Sequence, residues 1–343
     1  MNAIVLREPG VPVKTLKYEQ IDRPAPHRGE VLVKVKAVSV NRLDVWIRSG
    51  LAAYGTKYPH ILGSDFSGEV FEVSPDVKNF KPGDRVAVDP GIRCLKCDHC
   101  LAGDNNLCRH MGLIGASTWG GYAEYAKVSE DNLIPLAAHV SFVEVAAFPL
   151  TFLTAWHMLA NRGELRGGQS VLIIAGGSGI GVAAIQIAKL FGAKVIATAG
   201  GPEKTARLLD LGADHVIDHK KEDIHKRVMD VTGGDGVDVV FEHVGPATLG
   251  KSLASLKKGG KLAICGATTG PEATLDLRQL FSRQLDIRGS FLGTRGELLK
   301  VAALVAEGKL KPVIDEVFPL KEAARAHEKM EKSAHFGKLI LAP

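Results

Sequence analysis

VLIIAGGSGIGVAAIQIAKLF, residues 171–191, decides the fold. An apolar run of strand length leads into a glycine-rich turn, Ala175 to Gly181, and that turn opens a helix. Strand before and helix after are the setting a phosphate-binding turn requires, because the free backbone amides of a helix start face a pyrophosphate there. A lone glycine motif would suit any tight βα connection; its flanks make this one a dinucleotide turn. In the register GxSxxG, Ser178 stands for the middle glycine with Gly179 beside it, so the closest approach of the pyrophosphate shifts by one residue. The candidate coenzyme contacts are Gly176, Ser178, Gly179, Ile180 and Gly181, with Val244 at the end of a later strand.

Working outward, strands alternate with helices: QSVLIIA, GIGVAAIQIAKLF, AKVIATA, EKTARLLDLG, HVID, VDVVFEHVG and GKLAICGA. Such a succession builds a doubly wound parallel sheet with right-handed crossovers, a Rossmann-type α/β domain over residues 151–290. The second strand, KVIATA, ends in Ala199, Gly200 and Gly201, where an NAD-preferring site would set an acid against the ribose hydroxyls. Without that carboxylate nothing repels a 2′-phosphate. Lys204 and Arg207 follow one helical turn apart and can face the same ligand, so NADP is expected as coenzyme, with NAD as the alternative. The bland alternative makes both ordinary solvated helix residues and Glu203 a first-turn acid favoured by the helix dipole.

Residues 1–150 read differently. Short alternating segments such as EVLVKVKAVSV and DRVAVDP are separated by PxPHRGE and KPGD turns, which makes a β-rich domain. Around Ser141 the run EVAAFPLTFLTAWHML looks helical. Residues 291–343 add a helix from Gly296 to Glu307, a strand in VIDEVFPL, a helix from Lys321 to Lys332 and a last strand, GKLILAP.

Within residues 91–110, Cys94, Cys97, Cys100 and Cys108 follow the spacing CxxCxxCx7C. Four thiolates so close make a closed tetrahedral zinc site with no position left for substrate, so one structural Zn²⁺ per chain is expected. His99 and His110 are nearby substitutes. The fifth cysteine, Cys265, lies alone at the end of an apolar strand and reads as a small buried hydrophobe. An odd count with four members crowded together argues for metal in a reducing compartment rather than for disulfides.

The 43 basic and 38 acidic residues are scattered and give a formal charge of +5. No basic block points to nucleic acid. The start, MNAIVLREPG, carries charges where a secretion signal needs an apolar core, and no stretch reaches the ~18 apolar residues of a membrane span. A cytoplasmic protein without membrane or nucleic-acid partners is expected.

Taken together, EVLVKVKAVSVNRLDVWIRSG, ILGSDFSGEV, KPGDRVAV, the four-cysteine loop, GGYAEYAKV, the glycine turn, FPLKEAARAHEKM and FGKLIL resemble the medium-chain dehydrogenase/reductase superfamily along nearly the whole chain. The resemblance implies a GroES-like catalytic domain, made of the N-terminal part and the C-terminal tail, a Rossmann coenzyme domain, and a substrate cleft between them. It also implies a homodimer or homotetramer joined through coenzyme-domain edges, which size-exclusion light scattering would contradict by finding a monomer. In the zinc alcohol dehydrogenases of this superfamily a reactive metal is held at three positions. Here these read Asn41, Ser64, and Leu150 or Thr151, and VNRLDVWIRSG with GSD resembles the quinone oxidoreductase branch, which works without catalytic zinc.

The chemistry bounds such a site. Reducing an unactivated ketone builds alkoxide charge that Zn²⁺ stabilises as a Lewis acid. Hydrogen-bond donors, worth about 2.7–4 kcal/mol each when well aimed, suffice most easily where charge spreads over a conjugated quinone or enone. Asn41 is the expected donor to a carbonyl or to the nicotinamide ribose, with Asp44, Ser64 and Thr151 as supporting or proton-relay candidates. Against this, Asp44 could cap the segment that follows and Ser64 could be merely small enough for a tight turn. Tyr54 and Trp119 are candidate substrate walls, and His157 reads as a core residue. Asp44, His60, Asp65 and His157 are the donors open to a metal in an unfamiliar arrangement. The expected activity is therefore an NADPH-dependent reductase of a quinone, α,β-unsaturated carbonyl or activated ketone. A zinc-type alcohol dehydrogenase with replacement ligands and an NADPH-binding protein without turnover are the rivals.

Overall fold

The computed structural model describes residues 1–343, the side chain of Ala52 excepted. The chain divides into two compact units, Met1–Leu150 with Thr294–Pro343, and Thr151–Gly293. The first part forms β1 (Asn2–Leu6), α1 (Pro12–Thr15), β2 (Leu16–Gln20), β3 (Glu30–Val40), α2 (Arg42–Arg48), β4 (Asp65–Val73), β5 (Arg85–Val88), β6 (Gly91–Ile92), α3 (Asp98–Leu101), β7 (Gly112–Leu113), β8 (Tyr125–Ser129), β9 (Leu133–Pro135), α4 (Phe142–Ala146) and α5 (Pro149–His157). The second unit continues with β10 (Ser170–Ile173), α6 (Gly179–Leu190), β11 (Lys194–Ala199), α7 (Pro202–Asp210), β12 (His215–Asp218), α8 (Ile224–Val231), β13 (Val237–Glu242), α9 (Pro246–Ala254), β14 (Leu256–Ile264), α10 (Leu277–Ser282) and β15 (Asp286–Gly289). The tail supplies α11 (Arg295–Ala306), β16 (Ile314–Pro319), α12 (Ala323–Glu331) and β17 (Lys338–Ala342).

In the second unit six strands lie in the order β12-β11-β10-β13-β14-β15, and every pairing is parallel. Parallel strands are covered on both faces, which is why VLI and VIATA are continuous buried apolar runs rather than alternating ones. Helix starts are set by local chemistry. Ser178 caps α6, Asp223 caps α8, and proline opens α7 and α9 behind glycines at φ 92°. Leu172, Ile196, Ile217, Val240, Leu253 and Leu262 are among the residues of one buried cluster that ties sheet to helices. Because β10 lies between β11 and β13, the strand order reverses there, and ligands of such sheets bind outside the carboxyl ends at that point.

The first unit holds a seven-stranded sheet, β16-β17-β3-β4-β5-β9, with β8 also paired to β3. The C-terminal strand β17 runs antiparallel to β3, with Leu339 opposite Val40 and Ile340 opposite Ser39, while β4 sets Asp65 opposite Ser39. That register brings Ser39, Asp65 and Lys338, the residue before Leu339, to one end of β3.

The run expected as one helix after Ser141 is broken. α4 ends at Ala146 and α5 starts at Pro149, since proline lacks the N–H and would clash with the preceding turn. Beyond His157 the helix widens into a π segment, Met158–Arg162. The helix expected over Lys321 to Lys332 begins as a 3₁₀ turn, Leu320–Glu322. α8, α9, α10 and β15 had no separate reading in the sequence. No helix among the described residues is long and apolar enough to cross a membrane.

Candidate functional site

The glycine turn meets the requirements of a pyrophosphate cradle. Ser178 Oγ accepts the Gly181 N–H at 3.0 Å, capping α6. The Ala175 N–H donates to Thr198 Oγ1 at 2.9 Å and the Gly176 N–H to the Thr198 carbonyl at 2.8 Å, so β11 holds the turn. A Cβ on Gly181 would stand 2.5 Å from the Ala175 carbonyl oxygen and 2.7 Å from Gly176 Cα. Only glycine lets the helix approach the turn so closely. Gly179 and Ile180 form the half-buried first turn of α6.

Val244 is placed by a residue the sequence reading passed over. Glu242, fully buried at the end of β13, accepts through Oε1 from the backbone N–H groups of His243 (2.9 Å), Val244 (2.7 Å) and Gly245 (3.2 Å). Its Oε2 accepts from Thr248 Oγ1 at 2.9 Å and Ser252 Oγ at 2.6 Å. His243 Nε2 reaches the Ile174 carbonyl at 2.9 Å and Ser178 Oγ at 3.4 Å, joining β13 to the glycine turn.

At the end of β11 the sequence Ala199-Gly200-Gly201 brings no acid. Asp218, at the end of the neighbouring β12, brings a carboxylate to this turn, its Oδ1 accepting the N–H groups of Gly201 (3.0 Å) and Lys220 (3.1 Å). A Cβ on Gly200 would stand 2.9 Å from Lys220 Cε and 3.2 Å from the His219 ring. Burial, helped by the charges of Lys220 and Lys204, pushes the His219 imidazole below its ordinary range against the pull of Asp218. Lys204 and Arg207 are half-buried on α7. Lys220 thus joins Lys204 as a cation near this turn, while the His219 imidazole is held towards its neutral form.

In the first unit Asn41, Asp44 and Ser64 come together. Asn41 ends β3 and starts α2, where its N–H donates to Asp44 Oδ2 at 2.7 Å. Asp44 Oδ1 accepts the Gly63 N–H at 3.0 Å, and Tyr122 Oη, 3.1 Å from His327 Nε2, donates to Asp44 Oδ2 at 3.3 Å. Asp44 therefore acts as a helix cap and a clamp on the Gly63 loop. Burial pushes its carboxyl up to about 7, against the two backbone donors. Gly63 sits at φ +100°, and a Cβ there would lie 2.5 Å from the Tyr122 ring. Ser64 is fully buried, and its Oγ has no hydrogen-bond partner among the described residues.

The Asn41 amide faces two charges. Its Nδ2 donates to Asp65 Oδ2 at 2.9 Å, while Lys338 Nζ donates to its Oδ1 at 2.5 Å and to the Val40 carbonyl at 3.1 Å. Asp65 also accepts from the Leu150 N–H at 2.9 Å and from Ser39 Oγ at 3.4 Å, and lies 3.9 Å from Lys338 Nζ. Burial pushes Asp65 up and Lys338 down, and each charge holds the other back. Thr151, at the start of the second unit, is buried on α5.

Asp44, His60, Asp65 and His157 bring no three ligand atoms close enough to share an ion among the described residues. Asp44 and Asp65 are bonded as described, His60 Nε2 lies 2.9 Å from the Gly115 carbonyl, and His157 Nδ1 lies 3.4 Å from Asn161 Nδ2. By contrast, the sulfurs of Cys94, Cys97, Cys100 and Cys108 all lie within 4.8 Å of one another, the one such group among the described residues. The pairs Cys94–Cys100 and Cys97–Cys108 are 4.0 Å apart, close to the about 3.8 Å that tetrahedral Zn–S bonds of about 2.3 Å dictate. Backbone N–H groups bring the Cys97 thiol down and, against its burial, the Cys108 thiol too, whereas burial and the neighbouring sulfurs push Cys100 up, as four thiols sharing one small space without a cation must. These residues fit a closed zinc site. His99 and His110 are outside the set, although the His110 N–H donates to Cys108 Sγ at 3.4 Å. Trp119 is 43% exposed with its indole N–H on the Pro59 carbonyl at 3.1 Å, and Tyr54 is half-buried. Cys265 is half-buried, and burial raises its thiol to about 12.

Lys338, Tyr122, His327 and Glu242 were missed. A signal existed for two of them: Lys338 interrupts the apolar run of the last strand, and Glu242 ends an apolar strand with a charge.

Residues 27–138 match the alcohol dehydrogenase GroES-like domain, and residues 179–307 match the zinc-binding dehydrogenase domain. Crotonyl-CoA carboxylase/reductase of Cereibacter sphaeroides is 33% identical, the match covering 95% of this chain and 83% of that protein. Quinone oxidoreductase of Rattus norvegicus is 31% identical over 99% of this chain and 97% of its own length. The crystal structure of an NAD-dependent alcohol dehydrogenase superposes with a TM-score of 0.96 at 45% identity, covering 100% of both chains.

Proposed function

The chain belongs to the medium-chain dehydrogenase/reductase superfamily and is an NAD(P)-dependent oxidoreductase, and from that premise we propose that it reduces a quinone, an α,β-unsaturated carbonyl or an activated ketone with NADPH, without catalytic zinc. One observation carries the reading: where a catalytic metal would need free ligands, the carboxylates of Asp44 and Asp65 are engaged by internal donors, and the amide of Asn41 keeps one N–H over. Bound NADPH supplies the hydride from nicotinamide C4. The glycine turn and the start of α6 hold the pyrophosphate, and Val244, fixed by Glu242, lines the coenzyme.

Hydride adds to the conjugated carbon, and the electron pair it displaces moves onto the carbonyl oxygen. The Asn41 N–H meets that developing charge. The proton that completes the reduction comes from water, with the buried Ser64 hydroxyl as its relay candidate. The four cysteines hold one zinc that braces their loop.

NADPH preference rests on the absence of an acid within Ala199-Gly200-Gly201 and on the cations Lys204 and Lys220 near that turn, with the Asp218 carboxylate on the Gly201 N–H working against it. Lys204→Ala/Arg207→Ala is expected to lower kcat/KM for NADPH 10- to 100-fold while leaving NADH within threefold. Equal losses for the two coenzymes would refute the assignment. The second reading, an NAD-linked alcohol dehydrogenase with replacement ligands, is favoured by the 45% identity to such an enzyme; zinc-stimulated oxidation of a simple alcohol with NAD would establish it.

A further inference from the structure

The Asn41 amide is the one side chain of the cluster whose two ends meet opposite charges. An ammonium group has only N–H donors and an ionised carboxylate only acceptors. Lys338 Nζ at Oδ1 and Asp65 Oδ2 at Nδ2 therefore permit a single orientation of the amide; the flipped one would set oxygen against carboxylate and N–H against ammonium. Lys338 and Asp65 are 3% and 0% exposed, so no water screens them, and the register of β17 and β4 on β3 fixes where they stand. Asn41 itself keeps 4% exposure. Its second Nδ2–H makes no hydrogen bond among the described residues.

We propose that Lys338, paired with Asp65, is a positioning residue that locks the Asn41 amide so that it offers substrate an N–H donor and never its oxygen. The site thereby selects a ligand that presents an acceptor, the carbonyl oxygen of the oxidised substrate. The ammonium at Oδ1 draws electron density from the amide and strengthens the remaining N–H as a donor. Lys338 touches neither substrate nor coenzyme in this role. The inference rests on Asn41 being the carbonyl donor, as read above.

Three variants, assayed with NADPH and a quinone or enone, separate the possibilities. Lys338→Met/Asp65→Asn removes both charges together, a change that buried ion pairs tolerate better than loss of one partner. It is expected to fold, to bind NADPH within twofold of wild type by coenzyme fluorescence, and to lose about tenfold or more in kcat. Lys338→Arg keeps the charge and is expected to stay within threefold of wild type. A double variant that turns over at the wild-type rate, or that fails to fold, overturns the proposal, the second outcome making the pair a purely structural brace. Asn41→Ala tests the underlying reading: if it retains wild-type kcat, that reading falls too. If Asn41→Ala loses kcat while the double variant does not, only the lock falls.

Discussion

Asn41→Ala is expected to lower kcat for a quinone or enone by about 10²–10³, with the Kd for NADPH within threefold of wild type. The magnitude is that of removing one well-aimed donor from a developing oxyanion, since no metal charge is proposed to share the work. Removing the side chain leaves the Asn41 backbone N–H on Asp44 and the Gly63 loop its clamp, but it takes away the side-chain half of the α2 capping box and one partner each from the buried Lys338 and Asp65. A fall in stability is expected beside the loss of turnover, so kcat is read per folded, NADPH-binding protein. Unchanged kcat at saturating substrate would remove Asn41 from the reaction.

Glu242→Ala should produce the largest loss of stability. The carboxylate is fully buried and serves three successive backbone N–H groups and two hydroxyls. Alanine leaves those N–H groups without an acceptor, and each buried unsatisfied donor costs about 1–3 kcal/mol, so a total of about 3–5 kcal/mol is expected after water enters the space. In a unit of this size that is a fall in Tm on the order of 10 °C. Glu242→Gln should cost under about 1.5 kcal/mol, because its carbonyl can still serve the backbone while Thr248 and Ser252 turn their hydroxyls to accept. The truncation should also weaken NADPH binding, since Val244 and the start of α9 lose their anchor. Equal stability of the two variants in thermal melts would show that the hydrogen bonds of Glu242 are not what holds this turn.

What the sequence made legible follows from how local each signal is. The glycine turn, its flanking strand and helix, and the four-cysteine loop are contiguous, so spacing alone carried them. The vacated ligand positions could be named from the resemblance, and Asn41, Asp44 and Ser64 do lie in one cluster. Their partners could not be read, because Lys338 stands 297 residues from Asn41 and meets it only through the register of β17 on β3. The basic residues beside Gly200 divide in the same way. Lys204 and Arg207 follow the strand within one helix, whereas His219 and Lys220 arrive from the end of the neighbouring strand. The break between α4 and α5 is legible at Pro149, which cannot continue a helix from the preceding turn, although the apolar pattern runs on across it.

The central claim is that this oxidoreductase keeps zinc for structure and does its chemistry without it. Metal analysis of extensively dialysed protein, with turnover measured on the same sample in the presence and absence of a chelator, tests it most directly. The account predicts one zinc per chain, lost when Cys94 and Cys97 are replaced by serine, and NADPH-dependent turnover that the chelator leaves unchanged. Two zincs per chain, with turnover abolished by the chelator and restored by added zinc, would contradict it.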